Sequence, residues 1–326
     1  VVSTKAGDLH SRFTVVDTHV DTLLAAVHGI RSLGVRSHSG HVDFPRLREG
    51  GVDVQFFAHY IEPDYKPDRG LLRFMQIADV FYREVEENSD IAQVALSARD
   101  IQRITWEGRI ACILAVEGAE AMQGDLSVLR MLHRLGVRCI GLTWNQRNQL
   151  ADGVGEMRTG GGLTTLGVKA VREMNRLGII VDVSHLSDPG FWDVVDCTDQ
   201  PFIATHSNAR SVCDHPRNLT DEQIDSLAER GGVMGMNFAP AFVDAKRATL
   251  DRVLDHVDYI SDRVGPAHVG LGSDFDGIRD TPEGLEDVTR MPRITEGLLE
   301  RGYSDDDVQA ILGENFLRVC REVWGG

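Results

Sequence analysis

A (β/α)8 barrel of the TIM type, built as one domain over residues 1–326, is the fold this sequence predicts, and three observations predict it. Eight short apolar runs alternate with longer stretches of helical periodicity. No long low-complexity linker divides the chain, and residues with metal-binding chemistry recur at the ends of different apolar runs. Alternation of strand and helix implies a parallel sheet, and such barrels commonly run to about 250 residues or more as one domain, so no second core is required.

Taken in order, the apolar run Phe13 to Val16 leads into Asp17-Thr18-His19-Val20-Asp21, a His-x-Asp pair at a strand exit. Further strands are expected at Val52 to Phe57, Ile110 to Val116, Val137 to Leu142, Ile179 to Val183, Phe202 to Ala204, Val233 to Met236 and Val269 to Leu271. Between them, Leu166, Val168, Val171, Met174 and Leu177 approximate one helical face. Thr220-Asp221-Glu222-Gln223 has the form of a capping box ahead of Ile224 and Leu227. A last helix is expected after Ser304, carrying Val308, Ile311, Leu312, Phe316, Leu317 and Val319. The polar, aperiodic stretches His28 to His41 and Tyr60 to Gly70 read as long loops able to form a lid or wall. Gly160-Gly161-Gly162 neither follows a strand nor precedes a lysine and serine at P-loop spacing, so it reads as a flexible loop.

Composition narrows the function classes. A formal charge of -16, with 50 Asp and Glu against 34 Lys and Arg, argues against nucleic acid or an anionic membrane as partner. No apolar run reaches the roughly 18 residues that span a bilayer. The five cysteines include no Cys-x-x-Cys and sit mostly in apolar surroundings, as buried thiols do. Val1 to Arg12 carry no long apolar segment, which makes the cytoplasm the expected compartment.

His19, Asp21, Glu117, His185, His206 and Asp274 all fall at or just beyond the carboxyl ends of apolar runs. A closed barrel brings strand ends that are far apart in sequence to one rim, where such folds place their chemistry. Imidazole and carboxylate suit a borderline divalent metal such as zinc. Three histidines and three carboxylates exceed one tetrahedral zinc, so two ions fit better, with Glu117 able to give one oxygen to each. Two dications lower the pKa of a bridging water, so hydroxide attack on a carbonyl needs no serine or cysteine. Asp274 can take the proton and pass it to the leaving amine.

The ordered set Asp17-Thr-His19-Val-Asp21, Val116-Glu117-Gly118, Asp182-Val-Ser-His185, Thr205-His206-Ser207, His215-Pro-Arg217-Asn218 and Gly272-Ser-Asp274-Phe-Asp276-Gly277 resembles the renal (membrane) dipeptidase family of the amidohydrolase superfamily. Pro282-Glu283-Gly284-Leu285-Glu286-Asp287 and Gly313-Glu-Asn-Phe-Leu-Arg-Val319 extend the similarity over nearly the whole chain. The resemblance implies a zinc-dependent dipeptidase in which a metal-bridging hydroxide attacks the peptide bond. His19 and Asp21 would bind one zinc, His185 and His206 the other, and Glu117 would bridge. Asp274 matches the catalytic carboxylate, and Arg217 the arginine that binds the substrate's terminal carboxylate, a task suited to a bidentate guanidinium. Dipeptides ending in a D-residue as well as L,L dipeptides are the implied substrates, and a homodimer follows by family analogy.

One position departs from the pattern. Renal-type members carry a substrate-contacting histidine after the fourth strand, whereas Leu142-Thr143-Trp144-Asn145 places Trp144 there. An indole N–H donates a hydrogen bond but shuttles no proton. Asp17 and Asp276 flank stronger candidates and read as acceptors that orient metal-bound histidines. His59 and His268 read as structural, and no catalytic role is assigned to Asp182. For Arg217 the plain alternative is a surface ion pair with Asp214 or Asp221. The rival functions are another amidohydrolase reaction (N-acyl amino acid, lactone or deaminase-type hydrolysis) and a non-catalytic metal-containing binding barrel.

Overall fold

The computed structural model describes residues 4–325. Nine strands form one parallel sheet: β1 Val16–Val20, β2 Val54–Tyr60, β3 Ala92–Val94, β4 Ile110–Glu117, β5 Val137–Gly141, β6 Ile180–Asp182, β7 Ile203–Ala204, β8 Val233–Met236 and β9 Val269–Leu271. Their order is β2-β1-β9-β8-β7-β6-β5-β4-β3, and the extra pairing of β2 with β4 closes eight of them into a barrel. All eight expected strands are present. The ninth, β3, pairs with Ile110 to Cys112 of β4 below the point where β5 takes over that edge at Leu114. Its three residues are too short for a period-two pattern to reveal.

The helices follow their local signals. The capping box at Thr220 is formed, with Gln223 returning the bond to the Thr220 backbone N–H, and it starts the helix Asp221–Glu229. A second capping box joins Ser304 to Asp307 at the head of Asp305–Gln309. The expected single last helix is interrupted by a π turn, Ala310–Glu314, before Asn315–Trp324. Thr165–Leu177 forms over the stretch whose periodicity called for it and ends at Gly178 in the left-handed conformation. Residues 28–43 carry no helix or strand, and residues 61–69 hold only the 3-10 turn Pro63–Tyr65, between the end of β2 and a helix that starts at Gly70.

Side chains alternate across each strand. Val54, Phe56 and Ala58 of β2 pair in register with Ala111, Ile113 and Ala115 of β4, and the same register continues to Tyr60 and Glu117. Val16, Val54, Phe56, Ala111, Ile113, Ile180, Ile203 and Val233, mostly the first residues of their strands, cluster with Phe316, Val319, Cys320 and Val323 of the last helix. That helix closes the amino-terminal mouth of the barrel. Gly270 is needed there, because a Cβ at this position would lie 2.3 Å from the Phe316 ring. A larger core fills the space between the barrel and the outer helices.

Candidate metal centre

The open, carboxyl-terminal rim holds the opposite kind of residue. His19, Asp21, Glu117, His185, His206 and Asp274 converge there from five strands, and the first five are less than a tenth exposed. In β1 the register slips between Asp17 and Val20. Beyond the strand, Asp21 is the residue before the helix Thr22–Val27. His185 and Asp274 adopt positive φ, 68° and 62°. Such backbone is uncommon for non-glycine residues and collects at functional sites. Gly277 leaves room for the carboxylates, since a Cβ there would lie 2.1 Å from Asp21 Oδ2 and 2.4 Å from Asp274 Oδ1.

The distances define a cluster centred on Glu117. His185 Nε2 lies 2.9 Å from Glu117 Oε1, His206 Nε2 3.6 Å from the same oxygen, and His19 Nε2 3.7 Å from Oε2. His19 Nε2 is also 3.3 Å from Asp21 Oδ2, an ion-pair distance without hydrogen-bond alignment. Ligating atoms of His19, Glu117 and His206 lie within 4.8 Å of one another, as do those of His19, Asp21 and Asp274.

Tautomers make this cluster incomplete as it stands. His185 Nδ1 faces Asn145 Oδ1 at 2.7 Å, an acceptor, so Nδ1 carries the proton. Thr205 Oγ1 donates to Asp182 Oδ2 at 2.6 Å and therefore accepts from His206 Nδ1 at 2.8 Å. Both Nε2 atoms are then lone pairs, yet they sit 2.9 Å apart beside a carboxylate oxygen. Burial, then the nearby Arg217 and His19, pushes the His185 pKa well down. Burial, His19 and Arg217 do the same to His206, so neither ring supplies a proton. Three acceptors converge there, and either a bound cation or a proton on Glu117 must lie between them. His19 Nε2 and Asp21 Oδ1 are buried without hydrogen-bond partners among the described residues and are likewise open to a cation. Burial disfavours a charged His19, but Glu117 and Asp21 outweigh it and raise its pKa to about 10. A proton there answers the same carboxylates as a metal would. Burial and then Asp21 push Glu117 well above the usual carboxylate range. The donor set fits divalent metal.

The surrounding residues hold these side chains in place. Asp182 accepts from the backbone N–H of Ser184 and of Thr205, both at 2.9 Å, and so ties the loops that carry His185 and His206. Asp17 accepts from Ser273 N and Oγ, at 2.9 and 2.7 Å, and joins the His19 and Asp274 loops. Asp274 Oδ2 accepts from Asn237 Nδ2 at 3.0 Å. Burial raises the Asp274 pKa to about 6, against the lowering pull of His19. Asp182, Asn145, Thr205 and Asn237 were not assigned to the site from the sequence. The legible signal was their adjacency to strand ends, where Asn145 follows Trp144 and Asn237 follows the run Val233 to Met236.

A cavity of about 270 Å³ opens over the cluster, lined in part by Asp21, Tyr60, Glu117, Trp144, His185 and Asp274. Its size lies just below the usual span of ligand pockets, about 300 to 1,000 Å³, and suits a compact ligand. Trp144 forms one wall, its ring 5.2 Å from Tyr60 and 5.9 Å from His185. Arg217 is buried and not paired with Asp214 or Asp221. It donates to His206 O at 3.1 Å and Ser207 Oγ at 3.4 Å, and its guanidinium lies 5.4 Å from the ring of Phe242, which lines the cavity. Its Nε has no partner. Asp276 lines the cavity and holds the 28–43 loop instead of a ligand histidine: it pairs with Arg31 and accepts from His41 N at 2.6 Å. His59 is structural, its Nδ1 donating to Phe57 O and Ala115 O at 3.1 and 2.9 Å, and His268 Nδ1 meets Gly232 O at 2.8 Å.

Residues 3–324 match the membrane dipeptidase family, Peptidase family M19. The chain belongs to that family. It is 39% identical over 296 residues to the dipeptidase aclJ of Aspergillus oryzae, covering 87% of this chain and 70% of that protein. Among solved structures it is similar to the dipeptidase AC, a metallo peptidase of family M19, with a TM-score of 0.91, 32% identity, and coverage of 96% of this chain and 99% of that one. The metallo peptidase from Rhodobacter sphaeroides, solved with a phosphinate mimic of the dipeptide L-Ala-D-Ala, matches with a TM-score of 0.91, 31% identity and the same coverage. The protein is a metallo-dipeptidase of the membrane dipeptidase family on a TIM-type barrel. Among the described residues no helix is long and apolar enough to cross a membrane.

Proposed function

We propose that the centre holds two divalent ions, zinc by the borderline character of its donors, and hydrolyses dipeptides, those with a carboxyl-terminal D-residue among them. His19 and Asp21 would hold one ion, His185 and His206 the other, with Glu117 shared between them. When bound, the ions polarise the peptide carbonyl and lower the pKa of the attacking water. Asp274 takes the water's proton on Oδ1, the oxygen that Asn237 leaves free, and passes it to the leaving amine. Arg217 binds the terminal carboxylate through donors not committed to His206 O and Ser207, while Trp144 walls the pocket. The observation that carries this reading is the meeting of two proton-free imidazole nitrogens 2.9 Å apart at Glu117.

Metal analysis of purified protein, run beside a panel of L,L and L,D dipeptides, tests it. Two equivalents per chain and turnover are expected. Full metal occupancy without turnover of any dipeptide would leave only a binding barrel or another hydrolysis. Replacing Arg217 by Met should raise KM for dipeptides strongly, and an unchanged KM would remove the carboxylate clamp. A homodimer, implied by family analogy, is read by light scattering.

A further inference from the structure

The wall of the cavity at the end of β2 carries a hydroxyl that the site described so far does not use. Tyr60 ends β2 in register with Glu117, so their side chains leave the sheet on the same, inner face. Tyr60 lines the cavity together with Glu117, His185 and Asp274. Its hydroxyl makes no hydrogen bond among the described residues, while its ring is fixed on two sides: Trp144 lies 5.2 Å away, and Lys66 Nζ stands 5.4 Å from the Tyr60 ring and 5.5 Å from that of Trp144. Lys66 is itself anchored, 3.0 Å from the buried Glu120. The ring therefore has little freedom to turn away.

Few of the cavity-lining polar groups can stabilise a developing negative charge. Asp21, Glu117, Asp274 and Asp276 are carboxylates and His185 offers a lone pair, which leaves as neutral donors the Tyr60 hydroxyl, the Trp144 indole N–H and the amide of Asn145, whose Oδ1 faces His185. Of these, Tyr60 leaves the sheet in register with Glu117. A phenol titrates at about 10, so at neutral pH Tyr60 keeps its proton and acts as a donor.

We propose that Tyr60 is a catalytic residue, its O–H donating a hydrogen bond to the substrate carbonyl oxygen as that oxygen gains negative charge. As the water oxygen bonds to the carbonyl carbon, the C=O π pair moves onto oxygen and the water's proton goes to Asp274. Tyr60 gives up no proton. When the C–N bond breaks, the pair returns to re-form C=O, and Asp274 delivers the proton to the amine. A fixed donor aimed at the oxygen binds this state better than the planar peptide.

This inference rests on the dipeptidase reading and deepens it. Tyr60→Phe removes only the hydroxyl and keeps the packed ring. In the variant kcat should fall by about 10²-fold or more, with KM within about twofold of wild type, since one oxyanion donor is worth roughly that factor. The affinity for a phosphinate dipeptide mimic, which carries tetrahedral oxygens, should fall by a comparable factor, and metal content should stay equal to wild type. An unchanged kcat, a rise in KM alone, unchanged phosphinate affinity, or loss of metal would each overturn the assignment. Wild-type turnover reports on the dipeptidase reading, whereas the variant-to-wild-type ratio of phosphinate affinity reports on Tyr60 even for a substrate turned over slowly.

Discussion

The two mouths of the barrel are built from the same strands and solve opposite problems. At the amino-terminal mouth, Val16, Val54, Ile203 and Val233 meet Phe316 and Val319, and burial of apolar surface stabilises the contact. At the carboxyl-terminal rim the barrel strands lead into His19, Asp21, Glu117, His185 and Asp274, where His19 Nε2 and Asp21 Oδ1 are buried with no hydrogen-bond partner among the described residues. Even the glycines divide this way: Gly270 makes room for a phenyl ring, Gly277 for two carboxylates. One mouth stabilises the fold, and the other holds a cost that a bound cation would offset.

Glu117→Gln should break this contrast most strongly. Activity is expected to fall by about 10⁴-fold or more, as when one member of a cooperating catalytic set is lost. The metal-free variant should nevertheless unfold at or above the wild-type temperature, because a crowded buried charge has been removed. A calorimetric scan beside the dipeptide assay checks both, and a less stable metal-free variant would count against the rim as a stability cost.

Phe316→Ala acts at the opposite mouth. It should destabilise the protein by about 3 to 5 kcal/mol in urea unfolding, while kcat per folded, metal-loaded molecule stays at the wild-type value. A fall in kcat without a fall in stability would show that the two mouths are not separable.

His59 is a control for the rim histidines: it is buried as they are but donates to carbonyls and faces no second imidazole. Burial lowers its pKa to about 4, against 6.5 unfolded. Between those values the unfolded chain binds a proton that the native chain refuses. Stability is therefore full above pH 6.5 and declines as pH falls toward 4, by about 3 kcal/mol from this residue. His59→Asn keeps a donor for the carbonyls and should flatten the stability-against-pH slope in this window, and an unchanged slope would show that His59 does not titrate as placed. The smallest effect is expected from Thr205→Val, which removes the acceptor that sets the His206 tautomer. It should weaken metal binding by about 10- to 100-fold, as a chelator competition measures.

Chain-local signals carried much of this. The eight barrel strands were legible as apolar runs, the Thr220 box as a cap, and the rim residues as polar groups at strand ends, because strand periodicity, capping and strand termination are properties of neighbouring residues. Arg217 was legible only as matching a family position. Its burial against His206 O and Phe242, in place of a surface pair with Asp214 or Asp221, depends on groups brought in from other loops. Asp182 was silent for the same reason: nothing near it in sequence reveals that Thr205 will sit 2.6 Å away and orient His206.

The sequence by itself determined the barrel and the set of imidazoles and carboxylates at one rim, since each follows from the order of residues along strands. Only the tertiary structure decided which nitrogen of each histidine faces Glu117, and that Tyr60 rather than an imidazole offers a free donor beside Trp144. Proton positions depend on hydrogen-bond partners contributed by strands far apart in sequence, and barrel closure is what makes those strands neighbours.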